Sequence, residues 1–249
     1  MRVALESVPW PLPKRPLTRD ERQLAEATQA LKVVRARPGE VVVRRGGMRI
    51  VFTQVDPHRA AVLFRRGKLD EAPVPLGDIR AALDDPLVRS AVRVEQLAAV
   101  DGLRASRLPS SVRDALAATA ARRDYAQLVP EDISAAMPSP PARVFRSARD
   151  SVLSLPKVPV RIGVEGDPSL RYGASLLAAS WRDLDLDVHV VKHGANAIFT
   201  RGSATGEIPI ARAVDARFVS PRVSRWHENA HGLVDYAKVR LRAATRSRR

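Results

Sequence analysis

No cysteine occurs in the 249 residues. Disulfides, thiolate metal sites and cysteine nucleophiles are thereby excluded. Aromatic residues make up only 4%, so a core must be built mainly from alanine, valine and leucine. No apolar run is long enough to span a bilayer, and the opening stretch MRVALESVPWPLPKRPLTRDERQL holds no apolar segment of signal-peptide length. As written, the chain is expected to carry neither leader nor lipidated cysteine, and nothing in it directs export from the cytoplasm. Lysine is scarce as well: only six of the 42 basic residues are lysine. The net charge of +15 therefore reflects arginine spread from end to end, with few aromatics interleaved to stack on bases. Only the tail, Arg240 to Arg249, is a dense basic cluster, and terminal runs are usually solvated. Specific nucleic-acid binding is not expected, although a basic nucleic-acid binder stays as an alternative. Hydrophobic content of 45% and charged content of 28% describe a globular chain with a real core.

What is present is best read at residues 155 to 191. Val158, Val160, Ile162 and Val164 alternate with other residues and so lie on one face of an extended segment. Asp167-Pro168 is a helix start, a capping carboxylate followed by a residue whose missing N–H costs nothing at the first helical position. Leu170, Ala174, Leu177, Trp181 and Leu184 then form one helical stripe, and Leu186, Val188 and Val190 alternate again. A strand, a helix and a strand close most simply as a parallel crossover. The chain is expected to be α/β.

Upstream, four prolines in the first sixteen residues make an extended lead-in, and Thr18 with Glu21 forms a capping box before the stripe Leu24, Ala27, Leu31 and Val34. Residues 40–45 and 48–54 read as a hairpin turned at Gly46-Gly47. Asp56-Pro57 starts a helix that Gly67 stops. Pro73 and Pro75 mark a boundary. Residues 76–131 read as mainly helical, with Ser110 or Ser111 as a cap, and MPSPPA (137–142) is a connector. Residues 194–206 read as loop, and the remainder as a short extended piece and a terminal helix.

Several of these segments resemble family 5 extracellular solute-binding proteins, the peptide-binding receptors of ABC transporters. The strand–helix–strand block after a short helix (146–153) is similar to the second lobe of that family. Residues 48–79 resemble its strand and helix ending in a G-x-x-D turn, here Gly67, Lys68, Leu69 and Asp70. VRDALAATAARRDY (112–125) resembles a further helix. The closing segment is similar in ending on Gly232, Val234, Asp235 and Tyr236. The resemblance implies a periplasmic-binding-protein-like two-lobed fold (type II), partial or shortened, since full-length members are about twice as long. It implies a first lobe up to residue 75, a second over 76–205, and a return segment with basic tail over 206–249. Ligand would sit between lobes that close on it. The family's aromatic and acidic cleft segment has no counterpart. Residues 193–209, HGANAIFTRGSATGEIP, stand in its place, so no ligand-binding residue is assigned.

Other constellations offer chemistry on paper. His227-Glu228-Asn229-Ala230-His231 matches H-E-x-x-H, which on a helix sets two imidazoles on one face with a glutamate as general base. No Glu or His follows to supply a third ligand, Asp235 is the sole downstream carboxylate, and Arg225 brings a cation close. Two surface histidines at helical spacing is the preferred reading, with a zinc metallohydrolase as alternative. His189 and His193 share a face if their strand runs that far, and neither is read as a ligand. Gly163 and Gly166 lack the spacing of a phosphate cradle. Asp70 and Glu71 read as a solvated pair after a helix end. Trp181 belongs to the core stripe.

The sequence thus points to a non-enzymatic solute-binding component of an ABC transporter. It would bind a peptide or similar small solute, need no cofactor or metal, act as a monomer with a permease partner, and work outside the cytoplasm by family resemblance. A shortened, non-binding remnant of that family is the alternative within this reading.

Overall fold

The computed structural model describes residues 1–5, 32–130, 133, 136–138, 158–166, 169–202, 208–230 and 232–242. The expected cap at Thr18, the helix behind it as far as Leu31, the short helix at 146–153, the Asp167-Pro168 cap and most of the basic tail lie outside them; Val34, expected to close that helix's apolar stripe, stands instead exposed on a strand. Two compact units form: Met1–Glu95 with Asp215–Arg249, and Gln96–Val214. The changeovers fall within strands, whereas the expected divisions stood at residues 75 and 205.

In the first unit β1 (Arg2–Leu5) is followed by a meander of β2 (Lys32–Arg37), β3 (Glu40–Arg45) and β4 (Met48–Gln54). The Gly46-Gly47 hairpin is present, with Arg45 opposite Met48 and Gly46 at φ 53°, a left-handed value that glycine takes without strain. Strict alternation sends Val41, Val43, Ile50 and Phe52 to one face, where they join Val3 in a core cluster with Val219, Val223, Val234, Tyr236 and Val239. Helix α1 (Pro57–Arg65) begins as the sequence indicated: Asp56 Oδ1 accepts from the Arg59 N–H at 3.2 Å and proline opens the helix. Gly67, at φ 66°, ends its last turn. Strand β5 (Glu71–Pro73) runs beside β1, and the short helix α2 (Ile79–Asp84) follows.

The mainly helical reading of 76–131 needs correction. A 13-residue strand, β6 (Val92–Arg104), occupies its middle. Gln96, Leu97, Ala98 and Ala99 are good helix formers, but the strand is an interior member of its sheet, and ladder pairing on both edges overrides local preference. Helix α3 (Ser110–Thr119) starts at Ser110 and not near Val112, so Ser110 and Ser111, one of which was the expected cap, lie in its first turn. Pro109 occupies the cap position and no side chain bonds the free amides. Helix α4 (Arg122–Ala126) comes next.

The crossover of the second unit is as expected in kind. Strand β7 (Val160–Glu165), helix α5 (Leu170–Arg182) and β8 (Val188–Val190) follow in order, and β7 pairs parallel with β8. Leu170, Ala174, Leu177 and Trp181 are fully buried. Both strands are shorter than the alternation suggested: Val158 precedes β7 and Leu186 precedes β8. The segment read as loop contains β9 (Ala197–Gly202), parallel to β7 and antiparallel to β6. Strand β10 (Ile208–Val219) lies beside β6 in this unit and carries the chain back to pair antiparallel with β5 in the first. The expected terminal helix is absent among the described residues. Instead β11 (Val223–Ser224) and β12 (Arg240–Leu241) form a small antiparallel pair around a segment of turns.

Candidate functional site

The densest chemistry in the described residues is a buried ionisable cluster in the first unit. It is built from three chain segments. Glu71 stands on β5 opposite Val219, so alternation on β10 sets Arg217 and Asp215 on that same face. Glu228 and Tyr236 come from the segment between β11 and β12. Arg217 is the hub: its Nε donates to Asp215 Oδ2 at 2.9 Å, and its Nη1 donates to Glu71 Oε1 at 3.2 Å. Glu228 Oε1 lies 3.6 Å from the same Nε. The Tyr236 hydroxyl donates to Glu71 Oε1 at 2.7 Å. Glu71 is 0% exposed and Glu228 2%.

Burial on this scale penalises charge, and one cation cannot compensate three acids. Burial, with a hydrogen bond to Asp215 and the negative charge beside it, pushes the Glu228 carboxyl up to about 9. At neutral pH it is a carboxylic acid donating to Asp215. Burial also raises Glu71, against the opposing pull of Arg217 and the Tyr236 hydrogen bond. Arg217 is held charged well above its ordinary range; desolvation works against this, and Asp215 and Glu71 outweigh it. One oxygen of Glu71 and the indole N–H of Trp226 have no hydrogen-bond partner of good geometry. Next to this cluster, Asp70 accepts from the Arg2 backbone N–H at 2.7 Å and from Arg222 Nε. Burial alone would raise its pKa, but these donors outweigh it and hold the carboxyl below its usual range.

Asp70 and Glu71 were expected to be solvated, and that is overturned: both are buried, each clasping an arginine more than a hundred residues away. Nothing local in the sequence signals partners at that separation. The one available hint was that two adjacent acids immediately precede Ala72-Pro73-Val74 in an apolar stretch.

The H-E-x-x-H reading also fails on geometry. Residues 226–230 are extended or turn, Glu228 forms a bridge with Val234, and its side chain is buried while His227 is exposed. His231 lies outside the described residues. Among those residues no group of three His, Asp or Glu side chains could hold a metal ion. His189 sits on β8 and contacts Asp187 at 2.8 Å, whereas His193 lies beyond the strand's end, so the two share no strand face. Gly163 is packed against Ala195 and Ile198, and Gly166 makes a turn at φ 87°. Their role is close backbone approach and turning, not a phosphate cradle.

In the second unit a smaller polar lock joins β6, α4 and β9. The Tyr125 hydroxyl donates to Asp101 Oδ2 at 2.8 Å, and Arg201 Nε donates to Asp101 Oδ1 at 2.9 Å. Gly173 of α5 lies flat against the Tyr125 ring, since a β-carbon there would stand 2.2 Å from Cε2.

No family model matches the sequence, and no curated protein does either. Solved structures do match. The pheromone receptor PrgZ, described for its mode of peptide binding, superposes with a TM-score of 0.68 at 12% identity over 86% of this chain. The fold is that of solute-binding proteins. OppA from Haemophilus influenzae, solved with the peptide RPPGFSPFR, matches at TM-score 0.66 and 11% identity over 88% of this chain and 67% of its own. NikZ from Campylobacter jejuni, in complex with Ni(L-His), matches at 0.61 and 13% identity over 82% of this chain and 64% of its own. The chain spans about 64% of the length of PrgZ, a shortened version of the periplasmic-binding-protein-like fold. The resemblance read from residues 48–79, 112–125, 155–191 and 232–236 pointed to this same fold.

Proposed function

We propose that this chain is a non-enzymatic solute-binding protein that takes a peptide or similar small solute and passes it to the permease of an ABC transporter, outside the cytoplasm and as a monomer. The observation that carries the reading is the shared fold over 82–88% of the chain with proteins solved holding a peptide or a small chelate. The buried clusters around Arg217 and Asp101 are then scaffold. Each ties distant strands within one unit and keeps its charged groups away from solvent. On this reading the first lobe is built on residues 1–75 with the return segment, and the second on the middle of the chain. The unit boundaries at 95 and 214 would extend the first lobe through α2.

A thermal melt of the purified chain with and without a pooled oligopeptide library tests this. A ligand present at about 100 times its Kd stabilises the folded state by about 2.7 kcal/mol, enough to move the transition by several degrees. No shift with peptides or small solutes at millimolar concentration, and no heat on calorimetric titration, would refute the transport role and leave a non-binding member of the fold.

A further inference from the structure

We propose that residues 225–239, the segment between β11 and β12, act as a proton-held strap, which lies on the first unit's sheet while Glu228 and Asp215 share a proton and lifts when that proton leaves. Such a device is independent of solute binding and follows from how the segment is attached. Strands β11 and β12 pair with each other and add no strand to the ten-stranded sheet. Within the segment, the N–H groups of Asn229, Gly232, Tyr236 and Lys238 donate to the carbonyls of Leu233, Asn229, Val234 and Asp235. None of these bonds reaches the sheet. Side chains make the attachment instead. Val234, Tyr236 and Val239 enter the core cluster with Val3, Ile50 and Phe52. Arg45 Nη1 donates to the Val239 carbonyl at 3.3 Å, the Tyr236 hydroxyl donates to Glu71 at 2.7 Å, and Glu228 is hydrogen-bonded to Asp215 beside Arg217.

Charge decides which of these ties can fail. The groups facing Glu228 are Asp215 and Arg217 on β10, Glu71 on β5, and Tyr236 on the segment itself. Three carboxyl groups therefore meet one guanidinium, in a buried site. With a proton between Glu228 and Asp215, at most two negative charges stand against Arg217. Without it the two carboxylates face each other with no hydrogen between them, which burial makes costly. Glu71, Asp215 and Arg217 are fixed on strands paired within the sheet. Glu228 is the one acid of the three on an element outside it, so lifting the strap is the movement that returns a carboxylate to water. Arg225 begins the segment at φ 55°, a strained value that persists only while the surroundings enforce it. On the sheet the Glu228 carboxyl titrates at about 9, against an ordinary 4.5. Between those values lifting releases one proton, so the lifted fraction should grow about tenfold per pH unit. The hold is complete below the ordinary value and is lost as pH rises through about 9.

The test is hydrogen exchange of the full chain, read by mass spectrometry at pH 6, 7 and 8 and corrected for the pH dependence of intrinsic exchange. In the wild type, opening of the amides at 233–239 should rise at least about tenfold per pH unit. At every pH it should exceed the opening of β4 and β5, because the strap leaves while the sheet stays paired. In Glu228→Gln, whose amide donates to Asp215 without a titrating proton, the rise per pH unit should be about tenfold smaller. In Asp215→Asn, which removes the carboxylate beside Glu228, the rise should also shrink. Two outcomes in the wild type alone would overturn the proposal, so it survives a variant that fails to fold. One is no rise beyond intrinsic exchange. The other is equal opening of 233–239 and of β4 and β5 at each pH, which would mean that the first unit opens only as a whole. An undiminished rise in Glu228→Gln would also overturn it, by placing the proton elsewhere.

Discussion

Replacing Glu228 by glutamine removes one proton-binding group and leaves shape and hydrogen-bonding capacity nearly intact. In the folded chain the Glu228 carboxyl titrates at about 9, against an ordinary value of 4.5. Between those limits the folded state holds a proton that the unfolded state has released. Rising pH therefore removes stability, by up to about 1.4 kcal/mol per pH unit. From pH 6 to pH 8 the wild type should lose on the order of a few kcal/mol through this group alone. The variant has no such proton, so its advantage over the wild type should grow by that amount across the interval and level off above pH 9. Glu71 is raised as well, so neither curve will be flat, and the difference between them isolates Glu228. Urea unfolding at pH 6, 7 and 8 measures it. Trp226, packed against the first unit's core, and Trp181, inside the second, serve as separate fluorescence reporters. Parallel curves for wild type and variant would show that Glu228 is ionised at neutral pH and that the cluster is not proton-loaded. A variant that loses ground as pH rises would refute the sign.

Gly173→Ala should destabilise by roughly 1–3 kcal/mol, since the new methyl collides with the Tyr125 ring, which its hydrogen bond to Asp101 holds in place; chemical denaturation reads the loss, and an unchanged midpoint would mean the ring can swing away. Asp70→Asn should lower stability at neutral pH by weakening the bonds to Arg222 and the Arg2 amide. Because the Asp70 pKa is lowered on folding, its contribution is present above the ordinary carboxylate range and lost as pH falls below about 4, so wild type and variant should converge in acid. Asp56→Ala should cost about 1 kcal/mol through loss of the α1 cap, visible as a small melting shift with no change in any ligand response.

Local pattern was sufficient wherever one segment's own periodicity and turn chemistry set the outcome. The Gly46-Gly47 hairpin, the capped α1 helix and the Leu170–Trp181 stripe were legible for that reason, and the absence of cysteine excluded disulfides from these residues. The strand at 92–104 was not legible, because its residues favour helix in isolation and only neighbouring strands on both sides make extension the better state. Nor was the loop reading of 197–202, whose strand exists because β6 and β7 flank it. The burial of Asp70, Glu71 and Glu228 was invisible for a different reason. Each acid's environment is made by residues up to about 165 positions away, and composition carries no record of that distance. By itself the sequence determined the fold class, its local turns and caps, and the excess of arginine. Only the tertiary structure decided which of those charges were buried against each other, because pairing is set by sheet register and chain return.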